Sequence, residues 1–244
     1  MRYLVISDIH ANIEALDVCL RHAGTRGYDR VLVLGDIVGY GPDPNAVIDR
    51  VVALAPTAIV RGNHDKIAYG IHLAEGFNHS ARTAAQWTLD ALTPDHRAWL
   101  VALPQGPTIV DGNIEICHGS PLDEDEYIFD ELDARRAIDT ARERLCLYGH
   151  THVALAFKLT GKTLGLTTPS PEGFAVEDDS KYLVNPGSVG QPRDADPRAA
   201  YAIVDVGTRR LEMYRVEYPI ADTQAKMAAA GLPEPLIRRL AMGR

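Results

Sequence analysis

The stretch Tyr3-Leu4-Val5-Ile6-Ser7-Asp8-Ile9-His10 decides the fold class. Its first four residues form an apolar run without alternation, the pattern of a strand covered on both faces, and the run stops at a carboxylate and an imidazole. Ile13 to Arg26 then carries Leu16, Leu20 and Ala23 at helical spacing, which completes a strand, loop and helix. The unit recurs. Arg30 to Leu34 reads as a strand, Gly35 to Pro44 as a glycine-rich loop, Asn45 to Ala53 as a helix, and Thr57 to Val60 as a strand ending at Arg61-Gly62-Asn63-His64. Polar residues follow the C-terminal end of each strand, where open α/β sheets hold their ligands.

Farther along, Ser80 to Leu92 reads as a helix with Ser80 as a candidate cap, and Pro94 opens a turn leading through Trp99 to Leu103. Thr108 to Val110 and Ile114 to His118 flank Asp111-Gly112-Asn113 as a hairpin, and a helix is expected over Ala134 to Glu143. Leu145 to Tyr148 is a strand ending at Gly149-His150-Thr151-His152. Ala154 to Lys158, Thr163 to Thr167, Tyr182 to Val184, Ala200 to Val206 and Leu211 to Val216 add strands with antiparallel signals. The expectation is an α/β protein with a mixed two-layer core, one domain over 1–218. A helical appendage over 219–244, at Ala221 to Ala230 and Glu234 to Met242, is expected to pack on it, cover the cleft or form a homo-oligomer contact.

The 244 residues are 46% hydrophobic, enough for a buried core. Thirty-three acidic against 25 basic residues give a net charge of −8, which argues against a broad nucleic-acid-binding face or attraction to an anionic membrane. No stretch approaches the roughly 20 apolar residues of a membrane span. Cys19, Cys117 and Cys146 are too scattered for a disulfide framework, and with no secretion signal at the start the expectation is cytoplasmic.

Five of the nine histidines, His10, His64, His118, His150 and His152, fall at predicted strand ends. If the strand direction persists, Asp8 and His10 project to one side, and so do His150 and His152, each pair forming a pincer. Asp36 follows Gly35 and Asn63 follows Gly62, each glycine allowing a tight departure from its strand. Taken singly, these pieces also read as a cap, a turn or a surface histidine pair. Together they form a polar ring of imidazole and carboxylate, a donor set for manganese or iron, or for nickel, cobalt or zinc, and too soft-ligand-poor for a thiolate site. The candidates exceed the needs of one ion. A carboxylate shared by two ions would let them activate water and gather charge on a phosphoryl group, and Asp36 is the candidate bridge.

The series Asp8-x-His10, Gly35-Asp36, Gly62-Asn63-His64-Asp65, His118 and Gly149-His150-x-His152 resembles the calcineurin-like metallophosphoesterase superfamily. The resemblance implies a sandwich of two mixed β-sheets flanked by helices. It implies Asp8, His10, Asp36 and His152 around one ion and Asp36, Asn63, His118 and His150 around the other. It implies that His64 stabilises phosphoryl oxygens or protonates the leaving group, with Asp65 orienting it. Asn185 to Ser188 and Gln191 to Asp194 are similar to a segment that returns toward the metals in compact bacterial and archaeal members, where Arg193 would contact phosphate. The bland alternative for Arg193 is a surface salt bridge with Asp194 or Asp196.

Gly35-Asp36 is followed by Ile37-Val38-Gly39-Tyr40-Gly41, not by the Asp-Arg-Gly of eukaryotic-type serine/threonine phosphatases. Tyr40, Asn12, Asn63 and Arg61 are candidates for the pocket wall, though Tyr40 could equally be ordinary loop packing and Arg61 a structural ion pair. Asp123 to Glu126 reads by default as a solvated charge run, the alternative being a segment that repels polyanions. The function expected from the resemblance is binuclear hydrolysis of a phosphodiester, with a metal-bound hydroxide attacking phosphorus in line. The alternatives are a phosphomonoesterase or phosphoprotein phosphatase, and a hydrolase of dinucleoside polyphosphates or cyclic nucleotides.

Overall fold

The computed structural model describes every residue except Glu75 and Thr168, and every other side chain except that of Ile71. β1 (Arg2–Ile6) leads to α1 (Ile13–Arg26), β2 (Arg30–Val33) to α2 (Pro44–Ala53), and β3 (Ala58–Ile59) to two short 3-10 turns. α3 (His79–Ala91) and α4 (Pro94–Val101) precede β4 (Thr108–Val110), β5 (Ile114–Ile116), α5 (Glu131–Thr140) and β6 (Leu145–Leu147). The second half is β7 (Leu155–Thr160), β8 (Thr163–Thr167), β9 (Phe174–Ala175), β10 (Ser180–Asn185), β11 (Ala199–Asp205) and β12 (Arg210–Val216), then α6 (Ile220–Ala229) and α7 (Glu234–Met242).

These strands build two six-stranded mixed sheets in the orders β3-β2-β1-β11-β12-β9 and β4-β5-β6-β10-β7-β8. β1, β2 and β3 run parallel, as do β5, β6 and β10, and antiparallel strands complete each sheet. Alternation along β1 explains its unbroken apolar run. Tyr3 and Val5 meet Ile116, Leu147 and Val184 between the sheets, while Leu4 and Ile6 pack outward against Leu16 of α1 and Val47 of α2. On the far side of the second sheet, Ala134 and Ile138 of α5 cover Cys146 and Leu183. The layers are helix, sheet, sheet, helix. The C-terminal ends of β1, β2, β5, β6 and β10 therefore meet along one rim.

Several boundaries differ from the expectation for local reasons. α5 starts at Glu131, three residues before Ala134, because the Asp130 carboxylate accepts the Leu132 and Asp133 N–H groups. Glu143 lies beyond its end, where the backbone N–H groups of Arg142 and Glu143 are taken up by buried Glu115. Asn78, not Ser80, caps α3, and the segment after Pro94 is a helix capped by Thr93 rather than a turn. β9 is two residues long and carries no periodic signal. α6 and α7 bury Met227, Leu236 and Leu240 against Tyr40 and against Ala81 and Ala84 of α3. Cys19, Cys117 and Cys146 are buried and unbridged, and no described helix is long and apolar enough to cross a membrane.

Candidate metal centre

The strands stop before the polar residues begin. β1 ends at Ile6, β2 at Val33 and β6 at Leu147, and the chain then turns into left-handed backbone at Asp8 (φ 51°), His10 (φ 48°), Asp36 (φ 51°), His150 (φ 67°) and His152 (φ 60°). Such conformations cost a non-glycine residue on the order of 1–3 kcal/mol each and persist only where surrounding contacts impose them. The pincers expected from continued strand direction are thus replaced by turns that roll the side chains inward. His150 and His152 also part company. One ligand atom each from Asp8, His10, Asp36 and His152 lies within 4.8 Å of the others, and a second such group joins Asp36, His118 and His150. Asp36 belongs to both. Asn63 reaches the second group, its Oδ1 standing 3.2 Å from His118 Nε2.

Two glycines make the convergence possible. A Cβ at Gly62 would run into the Asp36 carboxylate, and one at Gly149 would meet Ser7 Oγ and the Asp8 carboxylate. Four of the five ligand-bearing turns are then tied in pairs by backbone N–H groups that donate to ligand carboxylates. His150 N–H donates to Asp8 Oδ1 at 3.1 Å, and His64 N–H to Asp36 Oδ1 at 2.8 Å.

Histidine protonation tests whether this cluster suits cations. Carbonyl oxygens only accept, so Nδ1 must carry the proton in His10 (3.1 Å from Val38 O), His118 (2.8 Å from Leu34 O) and His152 (2.6 Å from Gln191 O). His150 is turned round and gives its Nε2 proton to Asp125 O at 3.1 Å. Each ring thereby presents its other nitrogen to the cluster, the arrangement in which proteins orient histidine ligands. His10 Nε2 and His152 Nε2 face each other at 3.0 Å, and both present lone pairs. Asp36 Oδ2, buried, has no hydrogen-bond partner among the described residues, and it stands 3.5 Å from His10 Nε2 and 3.4 Å from His118 Nε2. Facing lone pairs around an unpartnered carboxylate oxygen fit a cation.

The electrostatics agree. Burial disfavours charge on these histidines and lowers His10 and His152 well below the ordinary value and His150 to about 3, so they are neutral ligands at pH 7. Burial acts on His118 in the same sense, but the Asp36 carboxylate outweighs it and raises His118 to about 10. Burial, reinforced by Asp36, lifts Asp8 to about 7. The cluster demands positive charge, and two divalent ions would supply it.

Around the cluster, His64 is held by rings and not by a carboxylate. Its imidazole lies 4.3 Å from the phenol ring of Tyr40, 4.5 Å from the Phe77 ring and 5.0 Å from the His10 ring, and its Nδ1 is buried without a hydrogen-bond partner among the described residues. Asp65 does not orient it. Asp65 Oδ1 accepts from the N–H groups of Ile37 (2.8 Å) and Val38 (3.2 Å) and Oδ2 from Gly62 (2.9 Å), which staples the Asp36 turn to the Asn63 turn. Asn12 borders a small cavity beside His10 and Tyr40, but its polar groups are engaged. Its Oδ1 caps α1 at Ala15 N–H, its amide donates to Gly190 O at 2.9 Å, and it is 1% exposed.

The return after β10 straps both halves of the cluster. Asn185 donates to Gly149 O, Ser188 Oγ donates to Asp8 O, and Arg193 N–H donates to His152 O. Arg193 makes no pair with Asp194 or Asp196, which bind Arg215 and Arg198. Its guanidinium instead lies over the Tyr40 ring and donates to the Tyr40 hydroxyl at 3.3 Å. Arg61 is a structural ion pair with Glu124, which also takes Lys66, so the acidic run is tied to the rim and not merely solvated. This docking brings Asp125 O to His150. It also lays Tyr127 on the His150 ring at 3.7 Å, with the 78% exposed Phe129 stacked on Tyr127 at 5.0 Å. The sequence pointed to the loops Tyr69 to His79 and Pro121 to Asp130 as those facing a substrate but did not single out Phe77, Tyr127 or Phe129 within them, and it gave no sign of Arg239. The carbonyls that aim the histidines carry no residue-type signal at all.

A model of the calcineurin-like phosphoesterase superfamily domain matches residues 1–209. The crystal structure of a metallophosphoesterase from Sphaerobacter thermophilus is 42% identical, with a TM-score of 0.88 and all of both chains covered. An uncharacterised protein of Methanocaldococcus jannaschii is 36% identical over 98% of this chain and 97% of its own length. A hypothetical protein from Pyrococcus horikoshii, 23% identical over 100% of this chain and 98% of its own, shares the fold with a TM-score of 0.81. With this fold and two ligand groups joined at Asp36, the chain belongs to the calcineurin-like phosphoesterase superfamily and is a metal-dependent phosphoesterase with a binuclear site.

Proposed function

We propose that the protein hydrolyses phosphodiesters, with Asp8, His10, Asp36 and His152 holding one divalent ion and Asp36, Asn63, His118 and His150 the other. The observation that carries the reading is the set of histidine rings, each held by one nitrogen on a main-chain carbonyl and turning the other toward the two ligand groups that share Asp36. Manganese or iron suits this mixed nitrogen and oxygen set. When bound, such ions lower the pKa of water and draw charge from phosphoryl oxygens.

The chain's own residues supply the rest. His64, which burial lowers to about 4, is neutral at pH 7 and offers one N–H to a phosphoryl or leaving-group oxygen from a ring fixed by Tyr40 and Phe77. Arg193 offers guanidinium donors above Tyr40, suited to phosphate oxygens. A second reading, a nucleotide hydrolase, is favoured by the exposed Tyr127 and Phe129 rings, a surface on which a base can stack.

The test is an assay with manganese or iron against bis-p-nitrophenyl phosphate, p-nitrophenyl phosphate, cyclic nucleotides, dinucleoside polyphosphates and phosphopeptides. Metal-dependent turnover with diester preference is expected. Preference for the monoester would overturn the diester assignment, and no metal-dependent turnover of any of them would overturn the function.

A further inference from the structure

Beside the metal centre, hydrogen-bond donors outnumber the acceptors that meet them. Gln191 Oε1 receives Arg193 Nη2 at 3.2 Å and Arg239 Nη1, from α7, at 3.3 Å. Among the described residues neither guanidinium has a carboxylate within 4.0 Å, whereas Arg61, Arg198 and Arg215 each have one. Arg193 Nε and Gln191 Nε2 are buried with no partner among the described residues. Orphaned buried donors are costly, and two cations sharing one amide oxygen add repulsion. An anion placed here would receive donors from both arginines and relieve the repulsion at once.

We propose that Arg193 and Arg239 form an anion subsite that takes a second phosphate group of the substrate, next to the one at the metals, which makes α7 part of the active site. The link to the metals is short, because Arg193 sits on Tyr40, whose ring packs on His64 and on His10 at 4.7 Å. Burial and then the neighbouring Arg193 lower the pKa of Arg239, in keeping with a guanidinium that lacks a counter-charge. The substrate's second phosphate rests on the phosphoester reading above. The subsite itself does not.

Calorimetric titration of the manganese-loaded protein with inorganic pyrophosphate and with inorganic phosphate, at one free manganese concentration, separates the two. Pyrophosphate should bind at least about tenfold more tightly than phosphate, the worth of one charge-assisted contact. Arg239→Gln should erase that preference and Arg239→Lys restore part of it. Gln191→Glu keeps both guanidiniums and gives them an internal carboxylate, so it should erase the preference in a chain with every other contact retained. An unchanged preference in Arg239→Gln or in Gln191→Glu would overturn the subsite. Hydrolysis of diesters without any pyrophosphate preference would overturn it alone, and a pyrophosphate preference without hydrolysis would support it while removing the proposed reaction.

Discussion

Replacing Ser188 by alanine tests whether the return after β10 holds the metal centre in shape. Ser188 is fully buried, and its Oγ donates to Asp8 O and accepts from Gln191 N–H, both at 2.7 Å. Asp8 O keeps a second donor, Gly190 N–H at 2.9 Å, so its loss is about 1 kcal/mol, the net worth of an ordinary hydrogen bond. The Gln191 N–H has no other partner among the described residues, and a buried orphan donor costs about 1–3 kcal/mol. The total is about 3 kcal/mol. For a chain of this size that lowers the melting temperature by about 6–12 °C. Gln191 O also fixes His152 Nδ1 at 2.6 Å, and loosening such a support typically weakens metal binding by about 10–100-fold. Thermal unfolding followed by circular dichroism, with calorimetric titration of manganese, reads both effects. A variant that melts with the parent and binds manganese as tightly would refute the reasoning that this hydroxyl ties the loop to the ligands.

Three other outcomes are expected. Asp36→Asn keeps the oxygen that accepts His64 N–H but removes the charge shared by both groups, so elemental analysis after dialysis should find both ions depleted, and two retained ions would refute the bridge. If His64 acts as an acid, His64→Ala should slow substrates with poor alkoxide leaving groups by about 100-fold or more while sparing activated aryl esters, whereas equal losses would assign it to charge stabilisation alone. Burial tends to raise Glu124, but Arg61 and Lys66 outweigh it and hold the carboxyl below its usual value. Its stabilising effect is therefore present above an unfolded pKa of about 4.3 and lost as pH falls through the lower folded value, so a Glu124→Gln variant should be less stable than the parent at neutral pH and equal to it in strong acid. A stability gap that survives acidification would show that the ion pair is not its source.

Much of the fold was legible because hydrophobic periodicity is written residue by residue. The β1 run and the helical spacing of α1 follow directly from side chains that must be buried. Boundaries were less so, since the Asp130 cap that starts α5 depends on a single carboxylate meeting two N–H groups. The site divided in the same way. Carboxylate and imidazole at strand ends disclosed the donor set, yet the resemblance gave Asp65 the task of orienting His64, and a motif cannot show that its oxygens are taken by the N–H groups of Ile37, Val38 and Gly62. Nor could the sequence show that the Asn12 amide is engaged by Ala15 and Gly190.

The sequence by itself determined which chemical groups the protein carries, and in which order, because residue type settles what can ligate and periodicity settles what must be buried. Only the tertiary structure decided which nitrogen each histidine presents, which carbonyl holds each ring, and that Arg239 stands beside Arg193. Those features depend on left-handed turns, on main-chain carbonyls identical in every residue, and on packing between segments far apart in the chain.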